Sequence, residues 1–103
     1  MGDPSSVAYL GGLLDDREKV IARSAAPALG GFRESSAAAQ LLKERALASE
    51  DPFVRAFGAL SLGRIGLQGS LPTLARQLVE DKEPAVRPFV QLAVGLLRDP
   101  GGA

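Results

Sequence analysis

The chain carries one segment twice. Pro52–Ile65 reads PFVRAFGALSLGRI and Pro84–Leu97 reads PAVRPFVQLAVGLL. At an offset of 32 residues Pro52/Pro84, Val54/Val86, Arg55/Arg87, Phe57/Phe89, Leu60/Leu92 and Gly63/Gly95 coincide. Leu42/Leu74, Ala46/Leu78 and Leu47/Val79 extend the match backwards. A degenerate third copy lies at an offset of 33, where Ile21/Val54, Ala26/Ala59, Leu29/Leu62, Gly30/Gly63 and Phe32/Ile65 align. Its preceding segment sets Tyr9, Leu13 and Leu14 against Leu42, Ala46 and Leu47. A period of this length holds two helices and a turn, and one helix pair cannot bury its apolar stripe alone. The pattern predicts a single all-α domain over residues 1–103, with repeats near 7–32, 36–66 and 70–98 and a tail over 99–103.

Ala and Leu make up about a third of the chain and β-branched residues are few, which favours helix over strand. Breaks fall at Asp15-Asp16, Gly30-Gly31 through Ser36, Glu50-Asp51-Pro52, Gly66–Ser70 and Asp81–Pro84. Asp51 is placed to cap the helix that Pro52 opens, Asp15 with Glu18 fits a capping box, and Ser36 and Ser70 are candidate N-caps. Gly30 and Gly66 suit the left-handed position that ends a helix. Pro27, inside a helical run, is expected to bend it. Between the breaks, apolar residues recur at helical steps: Val20, Ile21, Ala25, Ala28, Leu29 and Phe32; then Ala39, Leu42, Ala46 and Leu47; then Phe53, Val54, Phe57, Leu60 and Ile65; then Leu71, Leu74, Leu78 and Val79. Leu60, Leu62, Leu74 and Leu78 are expected to be nearly fully buried.

The residue types present narrow the chemistry. There is no Cys and no His, which removes disulfides, the usual zinc sites and the Ser-His-Asp triad. Twelve basic residues balance 12 acidic ones and aromatics are 5%, so neither a positive field nor a stacking platform for nucleic acid is expected. Met1–Leu14 has an Asp and no basic residue before a short apolar run, unlike a secretory signal. The longest nearly uncharged stretch, Pro88–Leu97, falls well short of the ~20 residues a bilayer crossing needs. The expectation is a cytoplasmic protein with no membrane partner, no cofactor, no metal and no catalytic residues.

Asp51-Pro52-x-Val54-Arg55, then Ala59-Leu60-x-Leu62-Gly63-x-Ile65-Gly66, resembles the HEAT-like repeats of the bilin-lyase type, which often read D-P-x-V-R and then A-x-x-A-L-G-x-I-G. Glu83-Pro84-x-Val86-Arg87 is close, with Glu for Asp and Leu97-Arg98 for Ile-Gly. The first copy has Ala22 where the arginine aligns and Arg23 one place later, the decay expected of an end repeat. The resemblance covers roughly residues 7–98. It implies a right-handed α-solenoid of about three HEAT-like helix pairs, with the second helix of each pair lining the concave side. It also implies a non-catalytic protein–protein interaction scaffold or adaptor, the alternative being a fragment or subunit of a larger HEAT-repeat enzyme such as a bilin-lyase-like protein. The iron site of the related deoxyhypusine hydroxylase needs histidines that this chain lacks.

Candidate protein-binding residues are Lys43, Glu44 and Arg45 in one copy and Thr73, Arg76, Gln77 and Glu80 in the next. Arg55 and Arg87, each four residues after a carboxylate (Asp51, Glu83), fit either a recognition ridge or a ladder in which each arginine bridges carboxylates at neighbouring turns. The acidic pairs Asp15-Asp16, Glu50-Asp51 and Asp81-Glu83 fall to one edge, where they serve either a basic partner or cation, or helix capping. Gly11-Gly12 and Gly30-Gly31 match neither GxGxxG nor a P-loop. The C-terminal helix Pro84–Arg98 has only a narrow polar stripe. Phe89, Val90, Leu96 and Leu97 are therefore candidate self-association residues, to be covered by a homodimer or by a partner that continues the stack.

Overall fold

The helices of this computed structural model, which describes residues 4–99, begin and end at the expected punctuation. They are α1 (Pro4–Leu13), α2 (Lys19–Leu29), α3 (Ser36–Leu41, continued by a π-helical turn Leu42–Ala46), α4 (Pro52–Ile65), α5 (Leu71–Glu80) and α6 (Arg87–Arg98). Short 3-10 turns, Gln68–Ser70 and Pro84–Val86, lead into α5 and α6. No strand occurs among the described residues.

Several starts and stops have identifiable causes. Asp51 caps α4 by accepting the Phe53 N–H at 3.1 Å, and Pro52 sits in the first turn, where its missing N–H costs nothing. Gly66 ends α4 with φ 85°, a conformation glycine adopts without strain. Four expectations are corrected. Ser35, not Ser36, caps α3, accepting from the Ala38 N–H at 3.1 Å. Gly30 keeps a right-handed φ of −64°, and the left-handed residue of that loop is Glu34 at φ 60°. The Asp15/Glu18 capping box does not form; the Glu18 N–H instead donates to Asp16 Oδ1 at 2.8 Å. Ser70 is already helical and its side chain caps nothing, and its hydroxyl is buried without a partner among the described residues.

Packing centres on α4, which lies between α2 and α6 and makes its broadest contacts with them. The first helices flank this row: α1 packs on α2 and α3, and α5 on α6. The six helices fill a slab 32 × 32 × 19 Å. Leu29, Leu42, Val54, Leu62, Ile65, Leu74, Val86, Val90 and Leu97 are fully buried in one continuous core. Leu62 and Leu74 are thus as buried as expected, whereas Leu60 and Leu78 are only half-buried. Val20, Phe53 and Val79, which match the helical period, face solvent. Gly11 leaves room for the Leu41 side chain of α3: a Cβ there would lie 2.6 Å from its Cδ1.

The C-terminal helix corrects the self-association expectation in part. Val90 and Leu97 point into the chain's own core and are unavailable to a partner. Phe89 is half-buried and meets Phe57 edge-on, ring centroids 5.9 Å apart. Leu96 is exposed, and so is Leu92, which the expectation omitted.

Candidate functional site

The turns that connect first to second helices carry the polar organisation of the molecule. At the α3–α4 turn, Arg23 reaches across from α2 and grips Asp51 through two bonds, Nε to Oδ2 at 2.7 Å and Nη2 to Oδ1 at 3.2 Å. The same guanidinium lies 4.2 Å from the ring centroid of Phe53, a cation–π contact. At the α5–α6 turn, Arg55 reaches from α4 and grips Asp81 in the same way, Nε to Oδ2 at 2.8 Å and Nη2 to Oδ1 at 3.1 Å. Arg55 Nη1 also donates to the Ser49 and Glu50 carbonyls at 3.0 and 3.1 Å. Each arginine therefore ties one second helix to the turn that opens the next.

These pairs set the electrostatics of the edge. The Asp51 carboxyl is held below its ordinary value chiefly by the Arg23 guanidinium, against the opposing effect of burial, with the Phe53 N–H assisting. Burial pushes the Asp81 carboxyl up most strongly, but Arg55, the Glu83 N–H and Gln77 together outweigh it and hold it down. Both arginines are correspondingly raised by their carboxylate partners. The acidic edge is thus largely a capping and bridging device. No cluster of three potential metal ligands occurs among the described residues.

An apolar register accompanies the polar one. A Cβ on Gly30 would lie 3.1 Å from Ser61 Cα on α4, and a Cβ on Gly63 would lie 2.6 Å from Ala93 Cα on α6. Glycine lets the backbones of successive second helices approach at both places. The buried Ser61 hydroxyl donates to the Ala26 carbonyl at 2.7 Å, satisfying an acceptor near the end of α2.

The candidate contact residues divide. All seven lie on the first helix of their pairs, α5 or the π turn after α3, and not on the second helix as the resemblance implied. Arg45 is drawn inward: its Nη1 donates to the Gly11 carbonyl at 3.0 Å and lies 3.6 Å from Asp15. Gln77 donates to Asp81 Oδ2 at 2.6 Å. Glu44 accepts from Gln40 at 2.6 Å and is otherwise exposed. Lys43 and Thr73 are half-buried, while Arg76 and Glu80 are exposed. A hollow of about 330 Å³ lined by Asp15, Asp16, Glu44, Arg45, Glu50 and Asp51 runs along the acidic edge. An apolar groove of about 270 Å³ lies between α4 and α6, lined by Phe53, Ala56, Val86 and Phe89.

Arg23 is the residue that the alignment undervalued. The 33-residue offset sets Ala22 against Arg55, yet Arg23 stands 32 residues before Arg55, the same step that separates Arg55 from Arg87. The chain matches no protein-family model and no curated protein.

Proposed function

We propose that the chain is a non-catalytic protein-interaction module, a short HEAT-like α-solenoid that serves as a scaffold or adaptor in the cytoplasm. The observation that carries this reading is the recurrence of one stacking register: Arg23 on Asp51 and Arg55 on Asp81, with Gly30 on Ser61 and Gly63 on Ala93. Stacking of neighbour on neighbour enlarges a surface instead of enclosing a pocket, and such surfaces favour recognition of other proteins. A sequence without His or Cys supports the non-catalytic part. Of the candidate contacts, the exposed Arg76 and Glu80 on α5 are the pair best placed to meet a partner.

The test is affinity capture from the cognate lysate with the purified chain and with an Arg76→Glu, Glu80→Arg double variant. A discrete protein retained by the parent and lost by the folded variant is the expected result. Equal retention by both, or none by the parent, overturns the reading.

A further inference from the structure

Two registers run through the stack, and on α6 neither finds its next partner among the described residues. The N-caps of the second-helix segments are Glu18, Asp51 and Glu83. Twelve residues past each cap stands a glycine: Gly30, Gly63 and Gly95. The first two pack against the residue ten past the next cap, Ser61 and Ala93. A Cβ on Gly95 would meet nothing within 4 Å. The arginines behave alike. Arg23 and Arg55 each hold a carboxylate of the next turn, whereas Arg87 is exposed and no carboxylate pairs with it among the described residues. Beside them Leu92 is 59% and Val79 78% exposed, although their counterparts one repeat earlier, Leu60 and Leu47, are half-buried and buried.

The internal contacts specify what would fit this face. Arg23 takes the carboxylate at the next N-cap, Asp51, and Arg55 takes the one two residues before the next N-cap, Asp81. The glycine requires a small residue ten past that cap. The other end of this same chain presents all three. The α1–α2 turn has Glu18 at the N-cap and Asp16 two residues before it, with Asp16 accepting the Glu18 N–H at 2.8 Å as Asp81 accepts the Glu83 N–H at 3.0 Å. Ten residues past Glu18 stands Ala28, small and exposed. Exposed Val20 and Ile21 on α2 add apolar surface to match Leu92 and Leu96.

We propose that the α6 face is a docking surface for a second copy of this chain, arranged head to tail. Arg87 of one copy would hold the Asp16–Glu18 turn of the next, and Gly95 would receive Ala28, continuing the internal register across the interface. Charge complementarity selects this arrangement, because Arg87 and the Asp16 and Glu18 carboxylates carry opposite charges at the positions that pair inside the chain. Such a contact is heterologous, so it does not stop at two copies unless the rotation closes a ring. The proposal goes beyond the scaffold reading, since a chain that captures a partner through α5 need not self-associate.

The experiment is light scattering from micromolar to millimolar concentration on the parent chain, on Arg87→Glu, and on Asp16→Arg with Glu18→Arg. The parent is expected to gain mass with concentration without a plateau at two copies. Each charge reversal should weaken association at least about tenfold, and mixing the two variants should restore it, because both mixed contacts again pair opposite charges. Gly95→Leu supplies a second reading. It fills open space in the monomer and should leave the melting temperature no lower, yet block association. A parent that stays monomeric throughout, a closed dimer indifferent to the Asp16 and Glu18 reversals, or a Gly95→Leu chain that associates normally overturns the proposal. A monomeric parent that still captures its partner through Arg76 and Glu80 overturns the proposal alone and leaves the scaffold reading standing.

Discussion

Arg55 on α4 and Asp81 at the α5–α6 turn form a two-bonded ion pair in which the aspartate side chain is 1% exposed and the arginine side chain 18%. Removing one partner of such a pair leaves the other charge buried without its counterion. Arg55→Ala should therefore cost about 3 kcal/mol in chemical denaturation. Arg55→Lys should recover only part of that, because an ammonium does not reproduce the two parallel bonds or the donation to the Ser49 and Glu50 carbonyls. Arg23→Ala should cost less, since the Arg23 side chain is 34% exposed and shares its pair with solvent. A loss under about 1 kcal/mol for Arg55→Ala would remove the ladder from the account of stability.

The same two carboxylates set the acid limit. Asp51 and Asp81 are both held below the ordinary carboxyl value of 3.8 in the folded chain. The unfolded chain thus takes up protons first as pH falls. Their contribution is complete above the ordinary range and declines as pH drops through it, from about pH 5 downward. Denaturation followed against pH should show that decline. Arg55→Ala should make it shallower, because Asp81 then keeps burial, which opposes ionisation, and loses its guanidinium. An acid limb of the same steepness in both chains would contradict the assignment.

Gly63 and Gly95 occupy one sequence position in successive repeats, and the structure predicts opposite responses to the same substitution. In Gly63→Ala the new methyl would lie 2.6 Å from the backbone of Ala93, so α4 and α6 must separate; a loss of about 1–3 kcal/mol is expected. In Gly95→Ala the methyl enters open space within α6, and helix propensity should add about 0.5–1 kcal/mol. Thermal melts of both variants, taken at a concentration where the chain is monomeric, check the pair. Equal effects would mean that the close approach of α4 and α6 is not what Gly63 provides.

What the sequence disclosed and what it withheld follow from the same geometry. Arg55/Arg87, Phe57/Phe89 and Gly63/Gly95 are legible because the same residue types recur at a constant step, although among the described residues only Arg55 and Gly63 of the first and last pairs meet their close partners. The α4 start is legible because the Asp51 cap and Pro52 act on the backbone beside them, whatever else Asp51 binds. Leu60 and Leu78 belong to the apolar period but are only half-buried, because periodicity marks the direction of a stripe and not how far the adjoining helices wrap around it. No pattern separates Val90 and Leu97 from the five other apolar residues of α6, because which of them turn inward depends on how α4 and α5 seat against it. Lys43–Arg45 and Thr73–Glu80 precede the breaks at Asp51 and Asp81–Pro84, so chain order alone sets them on the first helix of each pair, and only the resemblance pointed to the second. The π turn over Leu42–Ala46 likewise left no signal in the apolar spacing.

Two buried serines offer a contrast that isolates the worth of a satisfied hydroxyl. Ser61 Oγ donates to the Ala26 carbonyl at 2.7 Å inside the α2–α4 contact. Ser70 Oγ, equally buried at the start of α5, has no partner among the described residues. Ser61→Ala removes the bond and strands a buried carbonyl, so it should cost about 1–2 kcal/mol. Ser70→Ala removes only a desolvated polar atom and keeps the Cβ that packs, so it should stabilise the chain by up to about 1 kcal/mol. Ser61 lies inside α4 and Ser70 ends a 3-10 turn, so helix propensity favours Ser61→Ala, and a larger loss at Ser61 despite that advantage reports the hydrogen bond. Urea denaturation of the two variants measures it. If Ser70→Ala proves as destabilising as Ser61→Ala, the Ser70 hydroxyl holds a bond in solution and is not an unsatisfied group.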